Sequence, residues 1–534
     1  MRSWLNPPDG PEGAGMEMME ARSRRRAKTP RTVGPDLTPI PRRLENPWAP
    51  LEVLSEEALE RIMSAAYRIL EEAGLEFRSP RALDLLARSG ADVDRSTRIV
   101  TFGRDLVEHY CSLAPRSFSL HSRNPEKEVF FGGNIINFCS ANGAPNASDL
   151  ARGRRYGDYQ TLCDLIRLHN ALGVVHISGG EVVEPMDIEV DLRPVNMVYA
   201  HIRNGDLVWG ARGIGSAPIV DALELARISR GITIDELAER PSFYIITNTN
   251  SPRRIDEELL EGAMTAAEYG QAVCVTPFTL AGAMAPITLA GALALQTAEA
   301  LAVIALTQMV RPGAPAIYGG FTSNVDMRSG SPAFGTPEYV RATIAGGQIA
   351  RRIGLPYRTS GVNSSCAVDA QATYETGFSL FAAIMSHGNF INHAAGWLES
   401  GLTNSLEKVV VDSEMLRGWA ASLRKIDVSD DDLAVEAVKG VPPGGHFFGS
   451  SHTLSRFETA FYQPLISDWR NFETWKETGG HSATERAHEF WKEILRTYEP
   501  PPLDPAIDEA LRDYIARRTR QFARRGGGAG AKTA

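Results

Sequence analysis

The sequence predicts an α/β protein, a (β/α)8 TIM barrel with a helical region before it and a helical extension after it. Three observations carry this. Eight short apolar runs recur at spacings of roughly 30 to 43 residues, each closes in small or polar residues, and each is followed by an amphipathic stretch of helical period. The runs cover 135–138, 174–178, 207–210, 243–247, 272–276, 315–319, 356–359 and 390–394. Barrel enzymes build their sites at the C-terminal ends of such strands, so chemistry is sought in the loops that follow them.

Taken in order, residues 1–47 are rich in Pro, Gly and Arg and carry the run Arg22-Ser23-Arg24-Arg25-Arg26. With almost no apolar periodicity they read as a disordered, solvated tail rather than a nucleic-acid or membrane patch. From Ser55 the pattern turns helical: Leu59, Ile62, Met63, Ala66, Ile69 and Leu70 recur at three- and four-residue steps behind a Ser55 cap. A second such segment surrounds Arg81, and residues 48–130 are expected to form a helical cap on the barrel. The barrel spans 131–425, with connecting helices at 158–172, 218–229, 256–269, 289–309, 337–353, 371–386 and 407–423, and with a third strand that follows a helix ending near Arg203. Helical patterns continue over 426–520, through Phe457, Phe461, Tyr462, Trp475, Trp491 and Leu495, and a break at Pro500-Pro501-Pro502 precedes a final helix. That helix places Ile507, Leu511, Tyr514 and Ile515 on one face. The extension either wraps the barrel or forms a subunit interface, and a homo-oligomer is expected. Residues 521–534 are a second, Gly-rich disordered tail.

A chain of 534 residues with 43% hydrophobic side chains has ample material for one large core. Its net charge of −9 is dispersed, which argues against nucleic acid as a partner of the folded part. Five cysteines stand far apart with no CxxC pair, which fits a reducing cytoplasm. No uninterrupted apolar stretch of about 18 residues is seen, and no secretory segment follows the N-terminal charges. A cytoplasmic protein without a membrane partner is therefore expected.

The strand-end segments are crowded with amides, hydroxyls and rings and are poor in groups that transfer protons. After the first strand comes Ser140-Ala141-Asn142-Gly143-Ala144-Pro145-Asn146, after the fourth Asn248-Thr249-Asn250, and after the sixth Gly319-Gly320-Phe321-Thr322-Ser323-Asn324. The seventh runs into Thr359-Ser360-Gly361-Val362-Asn363-Ser364-Ser365-Cys366, then Asp369 and Gln371, and the eighth gives Asn392-His393-Ala394-Ala395-Gly396-Trp397-Leu398-Glu399. Such a set suits a ligand held by shape, hydrogen bonds and aromatic faces. Candidate rings are Trp209, Phe278, Tyr318, Phe321, Tyr357, Trp397 and the pair Phe447-Phe448. Rings around a cationic nitrogen attract it by cation–π interaction and recognise quaternary ammonium groups, although barrel aromatics also simply pack. Asn142, Asn248, Ser364 and Gln371 are candidate substrate contacts, and Arg212 and Arg358 would meet a substrate carboxylate or form salt bridges at the barrel rim. Cys366, Asp369 and Glu399 are the candidate catalytic groups; the thiol is either a nucleophile or an inert small residue, and the carboxylates either orient ligand or pair at the rim. No metal is expected, because His387 with His393 and His446 with His452 lack ligand spacing. No GxSxG elbow is present, and Ser364-Ser365 has no evident base.

At these residues the chain resembles the trimethylamine methyltransferase family, including its branch without pyrrolysine that contains glycine betaine methyltransferases. The resemblance covers almost all of 48–520 and rests on Ile69-Leu70-Glu71-Glu72-Ala73-Gly74-Leu75, Gly143-Ala144-Pro145-Asn146 with Asp149-Leu150, and Val368-Asp369-Ala370-Gln371-Ala372 with Tyr374-Glu375. It continues in His393-Ala394-Ala395-Gly396-Trp397-Leu398-Glu399-Ser400-Gly401-Leu402-Thr403 and the closing Glu499-Pro500-Pro501-Pro502-Leu503-Asp504-Pro505. The resemblance implies a TIM barrel that moves a methyl group from a methylated amine to cob(I)alamin, a corrinoid cofactor carried by a separate corrinoid protein. Its trimethylamine branch uses pyrrolysine in the loop after the seventh strand, whereas Asn363-Ser364-Ser365-Cys366-Ala367-Val368-Asp369 are all standard residues. A quaternary amine such as glycine betaine is implied instead, since it leaves as a neutral amine and needs no acid. Thr373 departs from the glycine common in the family. The alternatives are a barrel lyase or hydrolase working through Cys366, Asp369 or Glu399, and a noncatalytic binder of methylated amines.

Overall fold

The computed structural model describes residues 37–524, so of the tails expected over 1–47 and 521–534 the stretches 1–36, with the Arg22 run, and 525–534 lie outside the described residues, while 521–524 form the last turn of a helix rather than tail. Eight parallel strands close into a barrel: β1 Ile135–Ser140, β2 Ile177–Ser178, β3 Val208–Ala211, β4 Phe243–Thr247, β5 Ala272–Val275, β6 Ala316–Gly319, β7 Tyr357–Ser360 and β8 Phe390–Ala395. Each is followed by a helix: α1 Tyr159–Leu172, α2 Arg193–Asn204, α3 Ser216–Arg230, α4 Glu257–Glu268, α5 Leu289–Val310, α6 Pro337–Ile353, α7 Ala370–Met385 and α8 Leu406–Ser422. The strands are covered on both faces, which is why β1 and β8 are buried at every position and why the sequence shows runs rather than alternation. β8 pairs with β1 to close the barrel, through Phe390↔Asn137 and Ile391↔Phe138, and the register then slips before Ala395↔Ser140. His393, at φ 56°, sits inside that slip.

Side chains at the loop ends start and stop the helices. Asp158, Thr336, Asp369 and Ser405 cap the N-termini of α1, α6, α7 and α8, and left-handed Gly173 and Gly354 end α1 and α6. At the N-terminal end of the barrel the hairpin Phe118–Leu120/Val129–Phe131 inserts Leu120, Val129 and Phe131 against Cys139, Ile177, Val208, Tyr244, Cys274, Ile317 and Phe390. This end is closed, so any ligand enters from the opposite mouth.

Two expectations are corrected. The region before the barrel is not purely helical: helices Glu56–Arg68, Pro80–Arg88 and Arg104–Ser112 accompany a four-stranded sheet of Asp92–Asp94, Ile99–Thr101, Leu75–Phe77 and Arg254–Ile255. Residues 37–47 are fixed rather than tail-like, because Leu44–Glu45 pairs antiparallel with β1 and the Arg42 guanidinium donates to the carbonyls of Lys127 and His176, each at 3.0 Å. Helix α5 is long and apolar enough to cross a membrane, with a mean hydropathy of 1.8, yet 83% of that window is buried inside the molecule. It is apolar all round because β-strands cover one side and helices Glu56–Arg68 and Arg104–Ser112 the other.

Beyond α8, helix Ala483–Thr497 packs on α8 and α1, and helix Pro505–Arg524 packs on α3, with the Tyr514 hydroxyl donating to Asp221 at 2.7 Å. Between α8 and these helices the chain forms only short turns of helix and leaves large rings uncovered, among them Phe448 and Phe461.

Candidate functional site

Strand alternation decides which side chains reach the interior. On β6, Ile317 and Gly319 point inward, so Tyr318 points out, where its hydroxyl meets Gln296 Nε2 at 2.9 Å and Thr297 Oγ1 at 3.0 Å on α5. On β7, Arg358 points inward, and Tyr357 therefore faces α6 and donates to the Thr343 carbonyl at 2.9 Å. These two rings, expected at the ligand, belong to the barrel–helix core, as does Trp209, stacked on Phe243 at 5.2 Å. Phe447 lies in the segment after α8, 43% exposed, and joins none of the ring pairs of the mouth.

The rings that do converge at the C-terminal mouth are Phe278, Phe321, Phe334, Tyr339, His393 and Trp397. Phe321 stacks on Phe334 at 5.3 Å and tilts against Phe278 at 5.0 Å; His393 lies 4.0 Å from Trp397 and 5.8 Å from Phe321, centroid to centroid. Phe278, Phe321 and Trp397 were legible in the sequence. Phe334 and Tyr339 were not, because they arrive from the long β6–α6 loop and the first turn of α6, outside the strand-end segments.

Trp397 is held from several sides. Its indole N–H donates to the Asn363 carbonyl at 3.1 Å, and Asn363 Nδ2 donates back to the Trp397 carbonyl at 2.6 Å. The preceding Gly396, at φ 98°, donates its N–H to Asp412 at 2.9 Å, and a Cβ there would stand 2.1 Å from Asn404 Oδ1. Asp412 is itself paired with Lys408, both fully buried on α8. Burial, with Arg358 nearby, pushes the His393 pKa well below the ordinary histidine value, so its ring is neutral and is no acid at physiological pH.

The polar candidates divide by what they already hold. Asn142 Oδ1 accepts the Glu181 N–H at 2.7 Å, and Ser364 Oγ accepts the Phe334 N–H at 2.8 Å, so both shape loops. Gln371 donates to Glu375 at 2.9 Å on the exposed first turn of α7. Arg212 is occupied by Glu184 at 3.1 Å and Glu181 at 3.6 Å. Asn248 stands exposed at the rim, above a half-buried Ile246. Cys366 is an exposed free thiol on the β7–α7 loop, Asp369 caps α7 by accepting the Ala372 N–H at 3.0 Å, and Glu399 pairs with Arg154 at 2.9 Å. These three share one side of the mouth, because Ser365 donates to Asp369 at 3.1 Å and its carbonyl accepts the Glu399 N–H at 2.9 Å.

Arg358 differs from every other arginine at this end. It is 1% exposed, its guanidinium carbon lies 4.6 Å from the centroid of the Phe321 ring, and among the described residues its side chain's only hydrogen bond is a 3.5 Å approach to the Gly320 carbonyl. Among the described residues no group of three His, Cys, Asp or Glu side chains stands close enough together to hold a metal ion.

Comparison with known proteins agrees with this architecture. The family model for trimethylamine methyltransferase (MTTB) matches residues 21–523. The chain is 37% identical over 470 residues to a glycine betaine methyltransferase of Desulfitobacterium hafniense, covering 88% of this chain and 97% of that protein. It is 29% identical over 463 residues to a trimethylamine methyltransferase of the same species, covering 86% and 92%. The crystal structure of the Methanosarcina barkeri monomethylamine methyltransferase superposes with a TM-score of 0.50 at 10% identity, over 84% of this chain and 88% of that one, and so shares the fold. The protein is a methyltransferase, and the chain belongs to the trimethylamine methyltransferase family.

Proposed function

We propose that the protein transfers a methyl group from a quaternary amine to the cobalt of a corrinoid held by a separate protein. The observation that carries this reading is the mouth itself: rings from the loops after β5, β6 and β8 and from the start of α6 gather there, and the imidazole among them, His393, is kept neutral by burial. A quaternary nitrogen departs with the electron pair of the broken C–N bond and becomes a neutral tertiary amine, so no proton donor is needed. Likeness to a glycine betaine methyltransferase over nearly the whole chain supports the same donor class.

The corrinoid, when brought to the mouth by its carrier, supplies nucleophilic cobalt(I). The residues present fit such a delivery. The mouth carries no metal-ligand set of its own among the described residues, and its rim exposes an apolar side chain on six loops: Tyr156, Val190, Ile214, Ile287, Met327 and Leu402, after β1, β2, β3, β5, β6 and β8. Exposed apolar rims of this kind mark docking surfaces. The chain's own work is then to fix one methyl toward the mouth and to keep water from the donor. Because positive charge leaves the amine during the step, rings that held the cation too tightly would slow it. All five cysteines are free thiols, which supports a cytoplasmic setting.

Incubation of the chain with glycine betaine and cob(I)alamin, free or on a corrinoid protein, is expected to yield dimethylglycine and methylated cobalamin in equal amounts. Absence of both products across betaines, carnitine and choline would overturn the reading.

A further inference from the structure

A fully buried arginine without a carboxylate is costly, since removing a charge from water is repaid only when an opposite charge and hydrogen bonds replace the solvent. Arg212 has that repayment from Glu181 and Glu184, and Arg358 does not. Its Nε–H is buried without a partner.

Two neighbours share the condition. Arg358 and Ser360 alternate on β7, and β8 places Phe390 opposite Arg358 and Asn392 opposite Ser360. Phe390 belongs to the barrel interior, so Asn392, two residues on, points inward as well. Ser360 Oγ and Asn392 Nδ2 are both buried and unpartnered. The amide of Asn392 is oriented by its own chain, because Oδ1 accepts the His393 N–H at 2.9 Å and Nδ2 is left toward the axis. Three unsatisfied donors, one of them charged, therefore lie on two adjacent strands, and the charged one sits against the ring of Phe321. A buried donor set with no carboxylate among its partners is the complement of an anion, and a planar guanidinium fork is the complement of a carboxylate.

We infer that Arg358, with Ser360 and Asn392, is the receptor for a carboxylate on the methyl donor, so that the substrate is a short zwitterion and its acid group decides recognition. The inference rests on the reading of the mouth rings as the quaternary amine site. A betaine carries its carboxylate one carbon from the nitrogen, and such a molecule spans from Arg358 to rings in contact with it. The guanidinium also works on the reaction: a fixed positive charge beside the donor becomes less repulsive as the amine loses its own charge, which favours the transition state over the ground state.

The test uses the purified chain without corrinoid and calorimetric binding of three probes: glycine betaine, 3,3-dimethylbutanoate, which keeps the carboxylate and replaces nitrogen by carbon, and choline, which keeps the cation and lacks the carboxylate. Glycine betaine and 3,3-dimethylbutanoate are expected to bind, and choline to bind at least about a hundredfold more weakly than glycine betaine. Arg358→Met should abolish 3,3-dimethylbutanoate binding while its melting temperature equals or exceeds that of the parent, since it removes an unpaired buried charge. Arg358→Lys, which keeps charge but loses the fork, should weaken both acids by about tenfold. The double variant Ser360→Ala/Asn392→Ala retains the arginine and should weaken them by a similar factor. Equal affinity for choline and glycine betaine, or unchanged glycine betaine affinity in Arg358→Met, would overturn the receptor. The two readings fail separately: acid binding lost with Arg358 but no methyl transfer sinks the methyltransfer chemistry alone, and methyl transfer from choline as fast as from glycine betaine sinks the receptor alone.

Discussion

At the scale of single residues, the site is a matter of which side chains are already committed. Phe321 stacks on Phe334 and Trp397 is anchored through Asn363, so truncating either removes cation–π and packing contact; Trp397→Ala also loses the indole bond to the Asn363 carbonyl, while the bond from Asn363 Nδ2 and that of Gly396 to Asp412 persist. Phe321→Ala and Trp397→Ala are each expected to raise the glycine betaine dissociation constant by roughly tenfold, as a desolvated cation–π contact of about 2 kcal/mol implies. Unchanged binding in both would remove the rings from the site. Asp369 offers a sharper distinction, because it caps α7 and was also a candidate catalytic group. Asparagine caps as well as aspartate but carries no charge. If the carboxylate only caps, Asp369→Asn should match the parent in stability and turnover, while Asp369→Ala should lose about 1 kcal/mol in denaturant unfolding. A turnover loss in Asp369→Asn at unchanged stability would return the residue to the chemistry. Arg358 was visible in the sequence as a charge inside a strand, but only strand alternation and the pairing with Phe390 show that it points to the axis and is alone there.

At the scale of elements, strands and helices were legible because each is either apolar throughout, as in β1, or periodic and capped, as in α6 behind Thr336. The stretch 426–472 was less legible, and for a physical reason: its apolar spacing is helical, yet its large side chains find no burial partner among the described residues. Phe448, Phe461, Trp469 and Phe472 are 81, 78, 71 and 65% exposed. Four such rings present on the order of 600 Å2 of apolar surface, and Ile426, Val428, Leu433, Val435, Val438 and Phe457 add to it. Together they reach the roughly 800 Å2 that each side of a stable interface buries. On α7, Tyr374, Phe378 and Phe381 form a further exposed stripe at helical spacing. We propose that a second copy of the chain covers these surfaces. Sedimentation at micromolar concentration should show a dimer or larger assembly, and Phe448→Ser with Phe461→Ser should shift it toward monomer at unchanged secondary structure. A parent chain that sediments as a monomer would contradict this.

At the scale of the whole molecule, barrel order and the location of the mouth followed from eight runs alone, whereas the closed end, the sheet before the barrel and the ring cluster from distant loops depend on contacts between segments far apart in sequence. The same long-range packing sets the response to pH. His169, His176 and His201 are buried between the barrel and α1 and α2, and burial pushes their pKa values down to about 3, about 3 and about 4. His176 is fixed as a neutral ring, with Nδ1 accepting the Phe138 N–H at 3.0 Å and Nε2 donating to the Pro41 carbonyl at 2.9 Å. In the unfolded chain each titrates near the ordinary value of about 6.5. Between that value and the folded values the unfolded state binds more protons, so stability is fully present above about pH 7 and declines as pH falls below about 6.5. Each histidine contributes a slope approaching about 1.4 kcal/mol per pH unit. Glu299 and Asp412, whose pKa values burial raises, act with the opposite sign, since the folded state holds their protons more tightly. The histidine effect is therefore isolated by variant: denaturant midpoints measured from pH 8 to pH 5 should fall for the parent and fall less steeply, by about one proton, for His169→Asn. His169 is the informative choice because neither ring nitrogen has a hydrogen-bond partner, so its replacement removes the titration without breaking a bond. Identical slopes in parent and variant would show that this imidazole takes up its proton in the folded state as readily as in the unfolded one.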